Sequence, residues 1–299
     1  MPKEWLERSM DSDESLWPLF SVNQLNTWNH CEYLGWFTYV KEYSSKAPTN
    51  PGFQVGGMVH EMADIYYRLE SDDPDREMVS KLYALERVKL VQEDLEQSLL
   101  LKRATIVADR YFKEYAPAAD KGHIVEAVEQ YVKVPFKTPK GRNFWLQGYV
   151  DLRTRSSKRQ IVWDHKTMDG DRFFSENQLS MDFQIPAYIG MLREILEQSI
   201  NNGMFNMFNT YDYKKPWAQP LEKYFKRQPM YYPDALINRF LKEIGKEIDS
   251  ILEITTPRRT LSKNCAGCSF YAPCNAGMNG LSMTPILDSQ FKKREEKNG

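Results

Sequence analysis

The chain has 299 residues, of which 41% are hydrophobic and 13% aromatic, so it can bury one large core or two small ones. Its formal net charge is −1, which excludes a protein that binds nucleic acid by bulk positive charge alone, although local contacts remain compatible with this balance. No apolar run reaches the roughly 20 residues of a membrane helix, and the acidic N-terminus lacks the features of a signal peptide. We therefore expect a cytoplasmic protein without membrane contacts, whose four cysteines do not form structural disulfides.

The N-terminal part of the chain begins without a periodic pattern. Residues 1–20 are acidic and broken, and we expect them to be a flexible lead-in. Ser21 then has the chemistry of an N-cap, and apolar residues recur at helical spacing over residues 22–37. Cys31 lies inside this predicted helix, where a single cysteine is most often a small core residue.

A second helical region follows a loop. Residues 44–53 contain two prolines and a glycine, which is typical of a loop. Residues 56–69 are predicted to form a helix with His60 on an early turn, where a lone histidine is more often a structural hydrogen-bonding group than a metal ligand. Residues 77–115 read as one or two long amphipathic helices, and their pattern indicates an insertion without chemistry of its own.

The pattern then changes to the period of a β-strand. Residues 124–136 alternate in a way that predicts the first core strand, with Glu129 near its start. A solvent-facing glutamate and a site carboxylate are both compatible with that position.

Two short apolar runs at residues 144–152 and 160–163 form the centre of the chain. Both have the length and the β-branched or aromatic content of strands, and residues 153–159 between them read as a polar hairpin loop. The first run ends on Gly-Tyr-Val-Asp151, and the second continues into Asp164-His-Lys-Thr. Pairing of the two strands would therefore bring two carboxylates together.

Lys166 follows Asp164 by two residues. Residues i and i+2 of a strand lie on the same face, so both side chains can point into one site, while the ring of His165 projects to the opposite face and is expected to be packed. Two carboxylates and an ammonium suit a divalent metal that activates water against a phosphodiester.

Residues 181–198 are predicted to form a helix after a polar stretch. Gln184 and Tyr188 are four residues apart, which places both on one helical face. The region that follows is predicted to contain a strand at residues 204–213, a basic and aromatic surface loop at 214–228 and a helix at 233–254.

Three of the four cysteines lie within ten residues, with the spacing C-x2-C-x5-C, and the fourth is distant in the sequence. They are Cys265, Cys268, Cys274 and Cys31. Four thiolates suit either a [4Fe-4S] cluster or structural zinc, and unligated cysteines are the third alternative. A metal group held by these four residues would tie the two ends of the chain together.

These motifs closely resemble the core of the PD-(D/E)XK nuclease superfamily, in particular its RecB-like and Cas4-like branch. The residues that carry the resemblance occur in the family's order: Cys31, Gly56 and His60, Glu129, Gly148 and Asp151, Asp164 and Lys166, Gln184 and Tyr188, then Cys265, Cys268 and Cys274. One departure is Asp164, because many members have the longer glutamate there.

The resemblance implies a role for each of these residues. Asp151, Asp164 and Lys166 are the expected catalytic residues, and Lys166 orients the attacking water or stabilises developing charge. The expected ligands of Mg²⁺ or Mn²⁺ are His60, Asp151, Asp164, the backbone carbonyl of His165 and Glu129. Gln184 and Tyr188 would contact the nucleic acid or support the site. The resemblance favours a [4Fe-4S] cluster over zinc at the four cysteines.

The implied fold is α/β, with a restriction-endonuclease-like mixed β-sheet core flanked by helices and a helical N-terminal and insertion region. We expect a single nuclease domain at residues 21–280, with a helical portion at about 21–118, a catalytic core at about 123–215, and the C-terminal helix with its cysteine cluster at about 230–280. Residues 281–299 are expected to be a polar tail.

The implied activity is a metal-dependent DNA exonuclease that acts on DNA ends in recombination, repair, phage DNA processing or CRISPR-type spacer processing. The expected DNA partner is single-stranded or has ends. A helicase, a recombination protein or a CRISPR protein is then a candidate partner. One alternative is a DNA-binding or assembly subunit with a vestigial nuclease site, against which the intact Asp, Asp-x-Lys and His set counts. A zinc-stapled helical binding module is the third interpretation, and it would leave the motif spacing as coincidence.

Overall fold

A computed structural model of the chain describes residues 2–47, 51–69, 73–91, 95–170 and 172–293. The fold is mixed α/β, with a central mixed sheet flanked by helices. The strands are β1 Leu19–Ser21, β2 Tyr43–Ser45, β3 His123–Lys137, β4 Asn143–Ser156, β5 Arg159–Met168, β6 Asn202–Asn209, β7 Phe225–Tyr231 and β8 Phe291–Lys293. The α-helices are α1 Pro2–Arg8, α2 Val22–His30, α3 Glu32–Gly35, α4 Pro51–Arg68, α5 Val79–Val91, α6 Leu95–Arg110, α7 Ala116–Ala119, α8 Glu176–Ser180, α9 Gln184–Leu196, α10 Asp234–Leu252, α11 Tyr271–Met278 and α12 Thr284–Gln290.

Shorter helical turns lie between these elements. Two are π-helical, Trp36–Val40 and Tyr111–Tyr115. The 3-10 turns are Glu14–Leu16, Pro74–Met78, Pro216–Ala218, Leu221–Lys223 and Lys263–Gly267.

The chain divides into two compact units, each built from separate stretches of sequence. The single nuclease domain at residues 21–280 stays a prediction. Unit 1 comprises residues 1–48, 133–148 and 241–299, and unit 2 comprises residues 49–132 and 149–240.

Unit 2 carries most of the sheet. Strand β4 pairs with β5 antiparallel, β5 with β6 parallel, and β6 with β7 antiparallel, while β3 pairs with β4. Leu152, Trp163 and Phe208 are fully buried on the sheet face that joins one core with helices α4, α5 and α6. Asp164 and Lys166 alternate with Trp163 along β5, so their side chains lie on the opposite face of the sheet.

The β4–β5 hairpin is longer than the sequence predicts. Its strands continue to Ser156 and Arg159, so the turn is much shorter than the predicted polar loop at residues 153–159. The reason is that Arg153 and Arg155 both pair with Glu126 on β3, which satisfies their charges inside the sheet. The predicted loop at residues 214–228 likewise contains the start of β7.

Unit 1 begins its first long helix at Ser21, as predicted. The Ser21 hydroxyl accepts a hydrogen bond from the N–H of Gln24, whose side chain returns one to the N–H of Ser21, in a capping box. The single helix predicted for residues 22–37 is wrong, because Cys31 has an extended backbone (φ −166°, ψ 122°) and separates α2 from α3.

The two ends of the chain contain more regular structure than the sequence predicts. The expected flexible lead-in contains α1 and reaches β1, which pairs in parallel with Trp145–Gln147 of β4. The expected polar tail contains α12 and β8, and β8 pairs antiparallel with β2. These backbone hydrogen bonds between distant segments leave no periodic signature in the sequence. Residues 294–299 of the predicted tail lie outside the described residues.

Within the described ranges, no helix combines the length and the apolar character that crossing a bilayer requires.

Candidate active site

Two carboxylates lie where strands β4 and β5 stop pairing. The antiparallel register ends at the pair Leu152–Trp163, and Asp151 and Asp164 are the next residues on the two strands. Oδ2 of Asp151 accepts a hydrogen bond of 2.6 Å from the backbone N–H of His165. At this point a side-chain oxygen accepts the bond, where a backbone carbonyl would accept it in a regular sheet. The fold thus brings together the two acidic residues that the hairpin prediction pairs.

Lys166 shares the site with Asp164, as their spacing predicts. Its ammonium lies 2.6 Å from Oδ2 of Asp164 and 3.1 Å from Oδ2 of Asp182, and it donates a hydrogen bond to the side-chain oxygen of Gln184. Burial alone would lower the pKa of Lys166, but the carboxylates of Asp164 and Asp182 raise it above the ordinary lysine value. The side chain is therefore a cation at neutral pH.

Asp182 is a member of the site that sequence reasoning missed. It precedes α9, where its Oδ1 accepts a hydrogen bond of 2.8 Å from the backbone N–H of Gln184. Its other carboxylate oxygen faces Lys166, so one residue both fixes the start of the helix and holds the ammonium. The sequence prediction places Asp182 inside a helix at residues 181–198, whereas the helix begins at Gln184; an aspartate two residues before that glutamine is the signal of a helix start that was available.

Gln184 and Tyr188 lie on α9, as predicted, and both reach the site. Tyr188 is only 4% exposed and interacts with Gln184 through a hydrogen bond. Burial raises the pKa of the Tyr188 phenol, and the charges of Asp164 and Asp151 raise it further. This helix therefore covers the sheet face that carries the carboxylates.

Helix α4 approaches strand β5 through a glycine. A Cβ atom on Gly56 would meet Oγ1 of Thr167 at 2.5 Å and its Cβ at 3.3 Å, so only glycine allows the helix this close to β5. His60 lies one turn further along the same helical face. Burial lowers the pKa of His60, which also senses the charges of Asp164 and Lys166.

We expect Gly56→Ala to destabilise the folded protein by about 1–3 kcal/mol, because the added methyl group overpacks the contact between α4 and β5. Gly57→Ala is the matched control, since nothing lies within 4 Å of a Cβ there, and it should be neutral or slightly stabilising. Chemical denaturation of the two variants measures both effects. Equal stability of the two variants would contradict the role assigned to Gly56.

The ring of His165 is packed away from the carboxylates, as predicted. The residue is 5% exposed, and its ring lies edge-on to those of His60 and Phe208, at 5.9 and 5.7 Å between centroids. Its Nδ1 lies 3.4 Å from Nδ2 of Asn206. Burial holds the pKa of His165 well below its usual value, so the ring is neutral and structural.

Glu129 lies on β3 with a left-handed backbone (φ 46°), which interrupts the regular alternation of the strand. Burial raises the pKa of Glu129, and the charge of Glu129 in turn contributes to raising the pKa of Asp151. The carboxylate is therefore close enough to Asp151 to interact electrostatically. This position favours a site carboxylate over the solvent-facing alternative.

Burial raises the pKa of both Asp151 and Asp164 well above the ordinary carboxyl range. Lys166 opposes the shift at both residues, and Glu129 adds to it at Asp151. Two neighbouring buried carboxylates with only one ammonium between them are a site that gains from another cation.

The side chains at this site fit a hard divalent cation by their chemistry. Oδ2 of Asp164 is buried and has no well-formed hydrogen bond among the described residues, and the ammonium of Lys166 lies 2.6 Å from it in an ion pair. In the same described ranges, no three His, Cys, Asp or Glu side chains are already arranged to hold a metal ion. Binding would therefore require the Lys166 ion pair to open or shift.

All four cysteines line one pocket of unit 1: Cys31, Cys265, Cys268 and Cys274. Backbone N–H groups of Thr260 and Ser262 each point at a sulfur, 3.5 Å from Sγ of Cys31 and of Cys265 respectively. Burial raises the pKa of the Cys268 thiol, and the three neighbouring cysteines raise it further. The fold thus brings together four thiols that are up to 243 residues apart (274 − 31).

A sequence model of the PD-(D/E)XK nuclease superfamily matches residues 19–275 of the 299. No curated protein matches the chain. Among solved structures, one titled "Crystal structure of SSO0001" is 11% identical with a TM-score of 0.36, over 74% of this chain and 93% of that chain. At this TM-score the likeness supports no conclusion about fold or function.

Proposed function

This chain belongs to the PD-(D/E)XK nuclease superfamily, which implies a metal-dependent nuclease, and from that premise we propose that it is a DNA exonuclease of the RecB-like and Cas4-like branch. The observation that carries the proposal is the convergence of Asp151, Asp164 and Lys166 at the end of the β4–β5 ladder. A protein with a vestigial site would tolerate the loss of any of these residues.

The metal, Mg²⁺ or Mn²⁺, would supply a more acidic bound water and charge neutralisation at the phosphate. Asp151 and Asp164 would hold it, with His60, Glu129 and the backbone carbonyl of His165 as the remaining candidates. His60 has a lowered pKa and is neutral at physiological pH, as a ligand must be.

Lys166 would stabilise the negative charge that develops on the phosphoryl oxygens, because its ammonium is permanently charged and held on two sides. Gln184 fixes the ammonium from α9, which keeps it on the carboxylate face of the sheet.

We also propose that the four cysteines hold a [4Fe-4S] cluster, with zinc as the less favoured occupant. The proposal is supported by four thiols on one pocket and by the two backbone N–H groups directed at sulfur, which favour thiolates. The cytoplasm is a location that keeps such thiols reduced. A brown protein with visible absorbance would hold iron and sulfide, whereas a zinc protein would be colourless.

Metal binding is expected to weaken as the pH falls towards the acid range, because protons compete for two carboxyls whose pKa values burial raises. The sign follows from the metal-free protein: the folded carboxyls bind protons more tightly than the unfolded chain does, so metal-free stability falls as the pH rises through their folded-state pKa values. Mn²⁺ should therefore raise the Tm more at pH 8 than at pH 6.

Asp164→Asn should remove most of this Mn²⁺-dependent rise in Tm, and Asp169→Asn at the exposed end of β5 should preserve it. Thermal melts with Mn²⁺ and with EDTA at both pH values test this expectation. A rise that is unaffected by Asp164→Asn would place the metal elsewhere.

The exonuclease proposal is tested with end-labelled linear DNA and closed circular DNA, each single- and double-stranded. An exonuclease degrades the linear forms alone, and the order in which the label is released gives its direction. Cleavage of the circles would instead indicate an endonuclease. If neither form is cleaved but both are bound, the alternative of a DNA-binding subunit replaces the proposal.

A further inference from the structure

Two exposed tyrosine rings lie beside Asp151. Tyr149 precedes Asp151 by two residues on β4, so both side chains project from the same face of the strand. The intervening Val150 and the following Leu152 are completely buried, which shows that the alternation is regular here. Tyr149 is 57% exposed, and only about 7 Å of strand separates it from the catalytic carboxylate.

The second ring, Tyr131, lies on the neighbouring strand β3 and is 48% exposed. The centroids of the Tyr131 and Tyr149 rings are 5.2 Å apart, with planes tilted by 47°. Each ring keeps roughly half of its surface in solvent, although aromatic side chains gain most of their stabilising free energy from burial. Two adjacent half-exposed rings next to a catalytic carboxylate have the geometry of a stacking surface.

The charges beside this pair do not form a cationic site for phosphate groups. Two residues along the strands, the carboxylates of Glu129 and Asp151 lie on one side of the pair and the single ammonium of Lys133 lies on the other. Stacking of a base on an aromatic ring requires no positive charge, because every base has a π-face. Bases in a duplex already stack on each other, so a ring pair of this kind selects unpaired bases.

We propose that the Tyr131–Tyr149 pair is a stacking platform for unpaired bases of the DNA strand whose phosphodiester reaches Asp151. This inference rests on the proposed nuclease function and adds a base-binding site to it. The platform holds the bases next to the reacting phosphodiester and so positions the strand along the face of β4 that carries Asp151.

The test is the affinity of the full-length protein for a single-stranded oligonucleotide and for a blunt duplex, in EDTA so that no cleavage occurs. Tyr149→Ala should weaken binding of the single strand about 10-fold and leave duplex binding unchanged, and Tyr149→Phe should bind like wild type. Tyr231→Ala, which removes a 66% exposed tyrosine from β7, is the matched control and should have no effect. A 2-aminopurine base in the oligonucleotide should lose fluorescence on wild type but not on Tyr149→Ala.

Three results separate the inference from the function on which it rests. Equal single-strand affinity of wild type and Tyr149→Ala overturns the inference, and a protein partner then becomes the better occupant of the rings. Equal weakening for single strand and duplex also overturns it, because it indicates a general loss of structure. A Tyr149-dependent affinity in a protein that never cleaves DNA would retain the platform and refute the nuclease.

Discussion

Lys166→Ala is expected to reduce the rate of DNA degradation at least about 100-fold while the variant still binds DNA. The reason is electrostatic, because a preorganised group directed at developing negative charge stabilises the transition state. Removing such a group from comparable sites lowers the rate by about 10²–10³. In this protein the Lys166 ammonium is held beside the two strand carboxylates by Asp164, Asp182 and Gln184. The measurement is single-turnover cleavage of labelled DNA with enzyme in excess.

Lys158→Ala is the control for this experiment, because Lys158 lies exposed at the turn of the same β4–β5 hairpin. It should cleave DNA like wild type. Circular dichroism of Lys166→Ala should show an intact fold, since loss of the ammonium affects two carboxyls that can take up protons instead. A Lys166→Ala variant within a few-fold of the wild-type rate would refute the role of this lysine.

If the four cysteines of unit 1 hold the proposed metal group, Cys31→Ser is expected to lose that group and to destabilise the protein by about 5 kcal/mol. Closing a loop of 234 residues between Cys31 and Cys265 (265 − 31) restricts the unfolded chain by about this free energy, if the linkage acts like other covalent cross-links. Cys31 separates α2 from α3 and lines the same pocket as the three late cysteines. Iron, sulfide and zinc analysis of protein purified without oxygen, followed by denaturation, measures both effects.

His30→Ala is the matched control, because His30 lines the same pocket next to Cys31 but provides no thiol. It should retain the metal group. Wild-type protein that contains neither iron nor zinc, with a stability equal to that of Cys31→Ser, would show that the four cysteines are unligated. A protein with zinc would keep the linkage of the chain ends and change only its occupant.

Strands β4 and β5 could be predicted from the sequence because strand periodicity is local. The spacing of Asp164 and Lys166 places them on one face, and the hairpin then pairs Asp164 with Asp151. The same reasoning gave the packed ring of His165. These predictions require only neighbouring residues and one turn.

Other features depended on contacts that no local pattern contains. Asp182 lies in an irregular segment before α9, and its role appears only when the helix brings it to Lys166. The apolar pattern continues past Cys31, which hid the break between α2 and α3. Arg153 and Arg155 looked like loop residues because their partner, Glu126, comes from a strand outside the hairpin.

The most direct test of the central claim is phosphodiester hydrolysis by protein purified without oxygen, measured with Mg²⁺, Mn²⁺ or EDTA, for wild type and Asp151→Asn. We predict that wild type degrades linear DNA only when a divalent metal is present, and that Asp151→Asn is inactive although it binds DNA with similar affinity. Equal activity in EDTA, equal activity of the variant, or a wild type that binds DNA without cleaving it under any of these conditions would contradict the account.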